Sequence, residues 1–86
     1  MLDVRPARSY AAGHIAGALS TPFDSIEMRL AELVPYQSTT LLVYGDATDD
    51  STGAARLLVA AGFRNVVRIS GGISRWIDEG YPTVSQ

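Results

Sequence analysis

The sequence predicts an α/β domain: a small parallel β-sheet flanked by helices on both faces. Three observations carry this. Short apolar runs of strand length alternate with segments of helical period, the pattern of βαβ units. One run, Thr40-Leu41-Leu42-Val43-Tyr44, is almost continuously apolar, as in a central strand covered on both sides. The chain has 86 residues, 47% of them hydrophobic, enough for one core and no second.

Each element follows from local chemistry. Leu2–Val4 reads as a short strand already under way at the N-terminus. Pro6 suits the first turn of a helix, where a missing N–H costs nothing. Ala7, Tyr10 and Ala11 recur at helical spacing until Gly13 stops them. Ile15, Ala18 and Leu19 flank Gly17 in an extended stretch. A second helix is expected after Thr21-Pro22, with Ile26, Leu30 and Leu33 on its inner face and Pro35 at its end. After the central strand, Gly45–Asp50 forms a loop and Ser51–Ala61 a helix rich in Ala and Leu that Gly62 ends. Asn65–Ile69 is the last strand. Gly71-Gly72 turns the chain into a short helix with Ile73, Trp76 and Ile77 on one face, and Gly80 ends it.

Composition excludes several functions. Seven arginines, no lysine and nine acids give a net charge of −2, which argues against nucleic acid as the main partner. Tyr10, Tyr36, Tyr44 and Tyr81 are not interleaved with basic residues, so a single-strand nucleic-acid surface is unsupported. No apolar run approaches the ~20 residues that span a bilayer, and no signal-peptide pattern opens the chain. A cytoplasmic protein, or a piece of a larger one, is expected. The absence of cysteine excludes disulfides, thiolate metal sites and every thiol nucleophile. No cofactor is implied.

Ligands of open parallel sheets bind at the carboxyl ends of the strands. The loop after Tyr44 leaves the central strand and leads directly into a helix, so the candidate site is Gly45, Asp46, Ala47, Thr48, Asp49 and Asp50.

The ordered motifs are those of a known family. Asp3-Val4-Arg5, Tyr10 and His14-Ile15-Ala16-Gly17-Ala18 resemble the opening of the rhodanese (sulfurtransferase) superfamily. Leu42-Val43-Tyr44 resembles the strand before its active-site loop, and Ala54-Ala55-Arg56-Leu57-Leu58 with Ala61-Gly62-Phe63 the helix after it. Gly71-Gly72-Ile73 with Trp76 resembles its terminal turn. The resemblance covers almost the whole chain as a single domain, 1–86. Relative to longer members, a first strand and helix before Asp3 are missing. It implies a rhodanese-like sheet and, in active members, a cysteine that becomes a persulfide as the first loop residue. Here that position is Gly45. The family loop then runs through Arg, Gly and Asn, whereas this one runs Asp46-Ala47-Thr48-Asp49-Asp50. The length is that of sulfurtransferases rather than of the related phosphatases.

The expected function is therefore that of a catalytically inactive binding or regulatory module, with no catalytic residue and with Gly45 in the nucleophile's place. Acids at a helix N-terminus stabilise it, by about 0.3–1 kcal/mol each, so the loop reads as self-capped, with Ser51 a candidate cap. The alternative is a hydrolase or metal-assisted enzyme using Asp46–Asp50. The spacing does not fit an EF-hand, since Ser51 and Leu57 stand where the turn glycine and bidentate glutamate would be. A hydroxyl nucleophile at Thr48 or Ser51 would need a base, and the one histidine, His14, lies far upstream. A sulfurtransferase label drawn from overall similarity would describe the ancestry of the fold.

Other polar residues read as structural. His14 is expected to hydrogen-bond backbone at the end of the first helix. Asp3 and Arg5 are expected to form buried polar contacts that fix the loop into it. Trp76 is expected in the core. A sheet lacking an outer strand has an exposed edge, so a protein partner, a neighbouring domain or a homodimer is expected.

Overall fold

The computed structural model describes residues 1–46 and 50–85, residue 50 through its backbone. Four parallel strands form one sheet in the order β2-β1-β3-β4. They are β1 (Leu2–Asp3), β2 (Leu19–Ser20), β3 (Thr40–Tyr44) and β4 (Asn65–Arg68). The helices are α1 (Ala7–Ala12), α2 (Leu30–Leu33), α3 (Asp50–Ala60) and α4 (Gly72–Asp78). The predicted element order holds throughout, and no described helix is long and apolar enough to cross a membrane.

β3 is central, as its run of apolar residues requires. Leu2 pairs with Val43 on one side of it, and Leu41 with Val66 on the other. Alternation along the strand then divides the core. Leu41 and Val43 point into one cluster, where Leu2, Ile26, Leu33, Ala54, Leu58 and Phe63 surround them. Tyr44 points into the other, with Ile15, Ala18 and Ile73, and with Tyr10, Ile69 and Trp76 at its margin. Elements therefore cover both faces.

Three expectations are corrected. The helix predicted after Pro22 is broken into 3-10 turns at Phe23–Ser25, Glu27–Arg29 and Val34–Tyr36 around the single turn of α2. It leaves α geometry at Arg29 (φ −103°, ψ 6°), whose guanidinium reaches back to the carbonyl of Ser20. The inward residues are unaffected: Ile26 and Leu33 are buried. Ile77 does not share the inner face of α4, being 54% exposed while Ile73 is buried. Two turns of helix are too short for both ends of that stripe to reach the sheet. Trp76 is half-buried at the cluster margin, its Nε1 donating to Pro82 O at 2.8 Å and its ring 4.8 Å from that of Tyr81.

Candidate functional site

The carboxyl ends of β1 and β3 lie side by side, with Asp3 opposite Tyr44. A buried polar network forms there. The Asp3 side chain is fully buried and that of Arg5 is 7% exposed. Arg5 Nε donates to Oδ1 of Asp3 at 3.0 Å, and Nη2 to Oδ2 at 2.7 Å, a two-pronged pairing that matches the guanidinium fork. The Arg5 amide also donates to Oδ1, closing the turn that leads into α1. Nη2 further donates to the carbonyl of Gly13, which caps the far end of that helix. Nη1 stands 3.6 Å from the carboxylate of Asp46. One buried cation thus ties β1, both ends of α1 and the start of the loop. The expected Asp3 and Arg5 contacts are present, and the bond to Asp3 holds the Arg5 guanidinium more firmly protonated than usual.

Tyr44 is the member that sequence reasoning missed. Its hydroxyl donates to Oδ2 of Asp3 at 2.8 Å and accepts from the Ile15 amide at 3.1 Å. A tyrosine at the end of a buried strand needs a partner for its oxygen, which is the signal that was available. Burial, foremost, pushes its phenol well above the usual value near 10. The unfolded chain then ionises at lower pH than the folded one, so full stability is held below about pH 10 and falls as pH rises beyond it. Tyr44→Phe is expected to cost about 1–3 kcal/mol at neutral pH, because the Ile15 amide loses its partner. The variant should also lose part of the alkaline decline between about pH 9 and 11. Urea unfolding of both proteins across that range checks both effects.

The loop begins at Gly45, which is buried, and Asp46, which is 58% exposed. Their carbonyls accept from the first amides of α4: Ile73 N to Gly45 O at 3.0 Å and Ser74 N to Asp46 O at 2.9 Å. Gly72 makes this approach feasible. A Cβ there would lie 2.5 Å from both carbonyl oxygens, and its φ of +58° is in the left-handed region. The second glycine of the pair is thus required by contact with the loop as well as by the turn.

Ala47, Thr48 and Asp49 lie outside the described residues, as does the side chain of Asp50. The self-capping expectation falls there, except that α3 already includes Ser51. Ser51 is a buried residue inside the first turn and not the cap. Among the described residues no group of three or more His, Asp or Glu is placed to hold a metal ion. His14 has the predicted structural place: its Nδ1 lies 2.9 Å from Tyr10 O, its ring stacks on Tyr10 at 3.7 Å, and its backbone exchanges two hydrogen bonds with Val84. Among the described residues no hydrogen bond joins it to Ser51.

A family model for the rhodanese-like domain matches residues 1–79. The chain belongs to the rhodanese-like domain family. The thiosulfate sulfurtransferase GlpE of Pseudomonas entomophila is 39% identical over 80 residues, covering 88% of this chain and 68% of that protein. An HTH-type transcriptional regulator of Mycobacterium tuberculosis is 35% identical over 88 residues, 95% of this chain. The chain spans only 38% of that regulator's length. A crystal structure of a rhodanese-like domain from Anabaena superposes with a TM-score of 0.87 at 35% identity, over 96% of this chain and 94% of that one. The rhodanese-like architecture, a parallel sheet with helices, is thus common to the chain and its structural neighbours, and sulfurtransferases are among its relatives.

Proposed function

We propose that this rhodanese-like domain is a binding or regulatory module that does not carry sulfur. One observation carries the reading: the chain contains no cysteine, and Gly45 follows the central strand where the family resemblance expects the nucleophile. Sulfur transfer by such a loop needs a thiolate to attack the donor and hold the sulfane sulfur. Glycine offers neither sulfur nor any other nucleophilic side chain.

The surroundings support the same reading. The Gly45 and Asp46 carbonyls are fixed by α4, and Arg5 is committed to Asp3 and Gly13 with Asp46 beside it. A carboxylate thus lies next to the cation at the start of the loop, where an incoming anion would be repelled. The partner we propose is a protein, recognised through the folded surface. Incubation with thiosulfate and cyanide should release thiocyanate at the rate of the protein-free blank. Turnover well above the blank in cysteine-free buffer would overturn the proposal.

A further inference from the structure

The sheet ends differently on its two sides. At β2 the edge is two residues long, and Arg29 Nη1 donates to the carbonyl of Ser20. A short edge closed by a charged side chain discourages further pairing. At β4 four residues pair with β3 on one side only, and the described residues place no strand on the other. The Ile69 amide donates inward to Val43 O. Alternation along the strand then turns the Val66 and Arg68 amides outward, toward the open edge.

The charge at this edge is one-sided. From Ser51 to Ile77 the chain carries four arginines and no acid, although the whole has a net charge of −2. Arg75 pairs with Glu79. The side chains of Arg56 and Arg64 are exposed and, among the described residues, make no ion pair or hydrogen bond. Above the edge, Ala55, Arg56, Val59 and Ala60 of α3 line an apolar groove of about 450 Å³ that Arg68 closes below. Val59 is 58% and Val67 46% exposed.

We propose that β4 accepts a fifth strand from a partner polypeptide: an extended segment with an apolar middle and acidic ends. Its backbone pairs with the outward amides of Val66 and Arg68, its apolar side chains enter the groove under α3, and its carboxylates meet Arg56 and Arg64. Backbone pairing supplies the affinity in this mode, and pockets and charges supply the choice of segment. The proposal concerns the sheet edge and stands independently of the chemistry at Gly45.

The test uses the 86-residue chain and two synthetic peptides, Glu-Glu-Val-Thr-Val-Thr-Val-Glu-Glu and its counterpart with lysines for the glutamates. Fluorescence anisotropy measures affinity, and amide hydrogen exchange by NMR locates the contact. The acidic peptide is expected to bind roughly tenfold more tightly at low salt, with the difference shrinking as salt is added. The Val66 and Arg68 amides should exchange more slowly in its presence. In the double variant Arg56→Glu, Arg64→Glu the preference should pass to the lysine peptide. Equal affinity for the two peptides, or binding that leaves those two amides unprotected, would overturn the proposal. So would concentration-dependent self-association that protects the same amides without peptide, since a second copy would then be the occupant.

Discussion

Asp3→Ala is expected to destabilise the domain by about 3–5 kcal/mol, the usual cost of leaving a buried charge without its partner. A chain of this length has a stability on the order of 4–13 kcal/mol, so the loss is roughly a quarter of the whole or more. The magnitude follows from how much converges on one carboxylate. Asp3 is fully buried and accepts from the Arg5 amide, the Arg5 guanidinium and the Tyr44 hydroxyl. Removing it strands a cation whose remaining partners are the Gly13 carbonyl and, at 3.6 Å, Asp46. The effect should be strongly non-additive. The double variant Asp3→Leu, Arg5→Met removes both charges and is expected to be more stable than Asp3→Ala alone. Urea unfolding at neutral pH gives both numbers. A loss below about 1 kcal/mol for Asp3→Ala would mean that the network is solvated and does not hold the head of the sheet.

Gly72→Ala is expected to cost roughly 2–5 kcal/mol. About 1–2 kcal/mol comes from placing an L residue in the left-handed region, and about 1–3 kcal/mol from forcing a methyl into a packed space. The space is closed by backbone: the Gly45 and Asp46 carbonyl oxygens would each lie 2.5 Å from the new carbon. Neither can yield without breaking the bonds from Ile73 and Ser74 that fix the start of the loop. Gly80→Ala is the control. It also has a positive φ, +87°, but nothing lies within 4 Å of the added carbon. Its cost should be about 1–2 kcal/mol, the backbone contribution alone. Thermal unfolding of the two variants side by side separates contact with the loop from backbone strain.

The sequence carried the architecture because the signals for it are local. The run Thr40–Tyr44 places the central strand whatever else folds around it, and Gly13, Gly62 and Gly80 mark element ends within the stretch they terminate. The Asp3 and Arg5 pair was legible for the same reason, the two residues being two positions apart in a turn. What was not legible depends on the assembled sheet. Tyr44 joins that pair only because β3 lies beside β1, across 41 positions of chain. The need for glycine at position 72 arises from a loop 26 positions earlier. The break at Arg29 follows from the reach of its side chain to β2, which no helical pattern encodes. Ile77 satisfied the helical spacing and is exposed nonetheless, since periodicity names a face but not how far a neighbour extends along it. The loop itself was informative mainly in its first residue, where glycine offers no side chain that could react.

On the proposed reading this rhodanese-like scaffold takes up no sulfur. Intact-mass spectrometry of the purified protein, before and after incubation with excess thiosulfate, decides the matter. One unchanged mass is expected in both samples, with no species heavier by a sulfur atom and no loss of mass on later treatment with cyanide. A sulfur adduct that cyanide removes would contradict the reading.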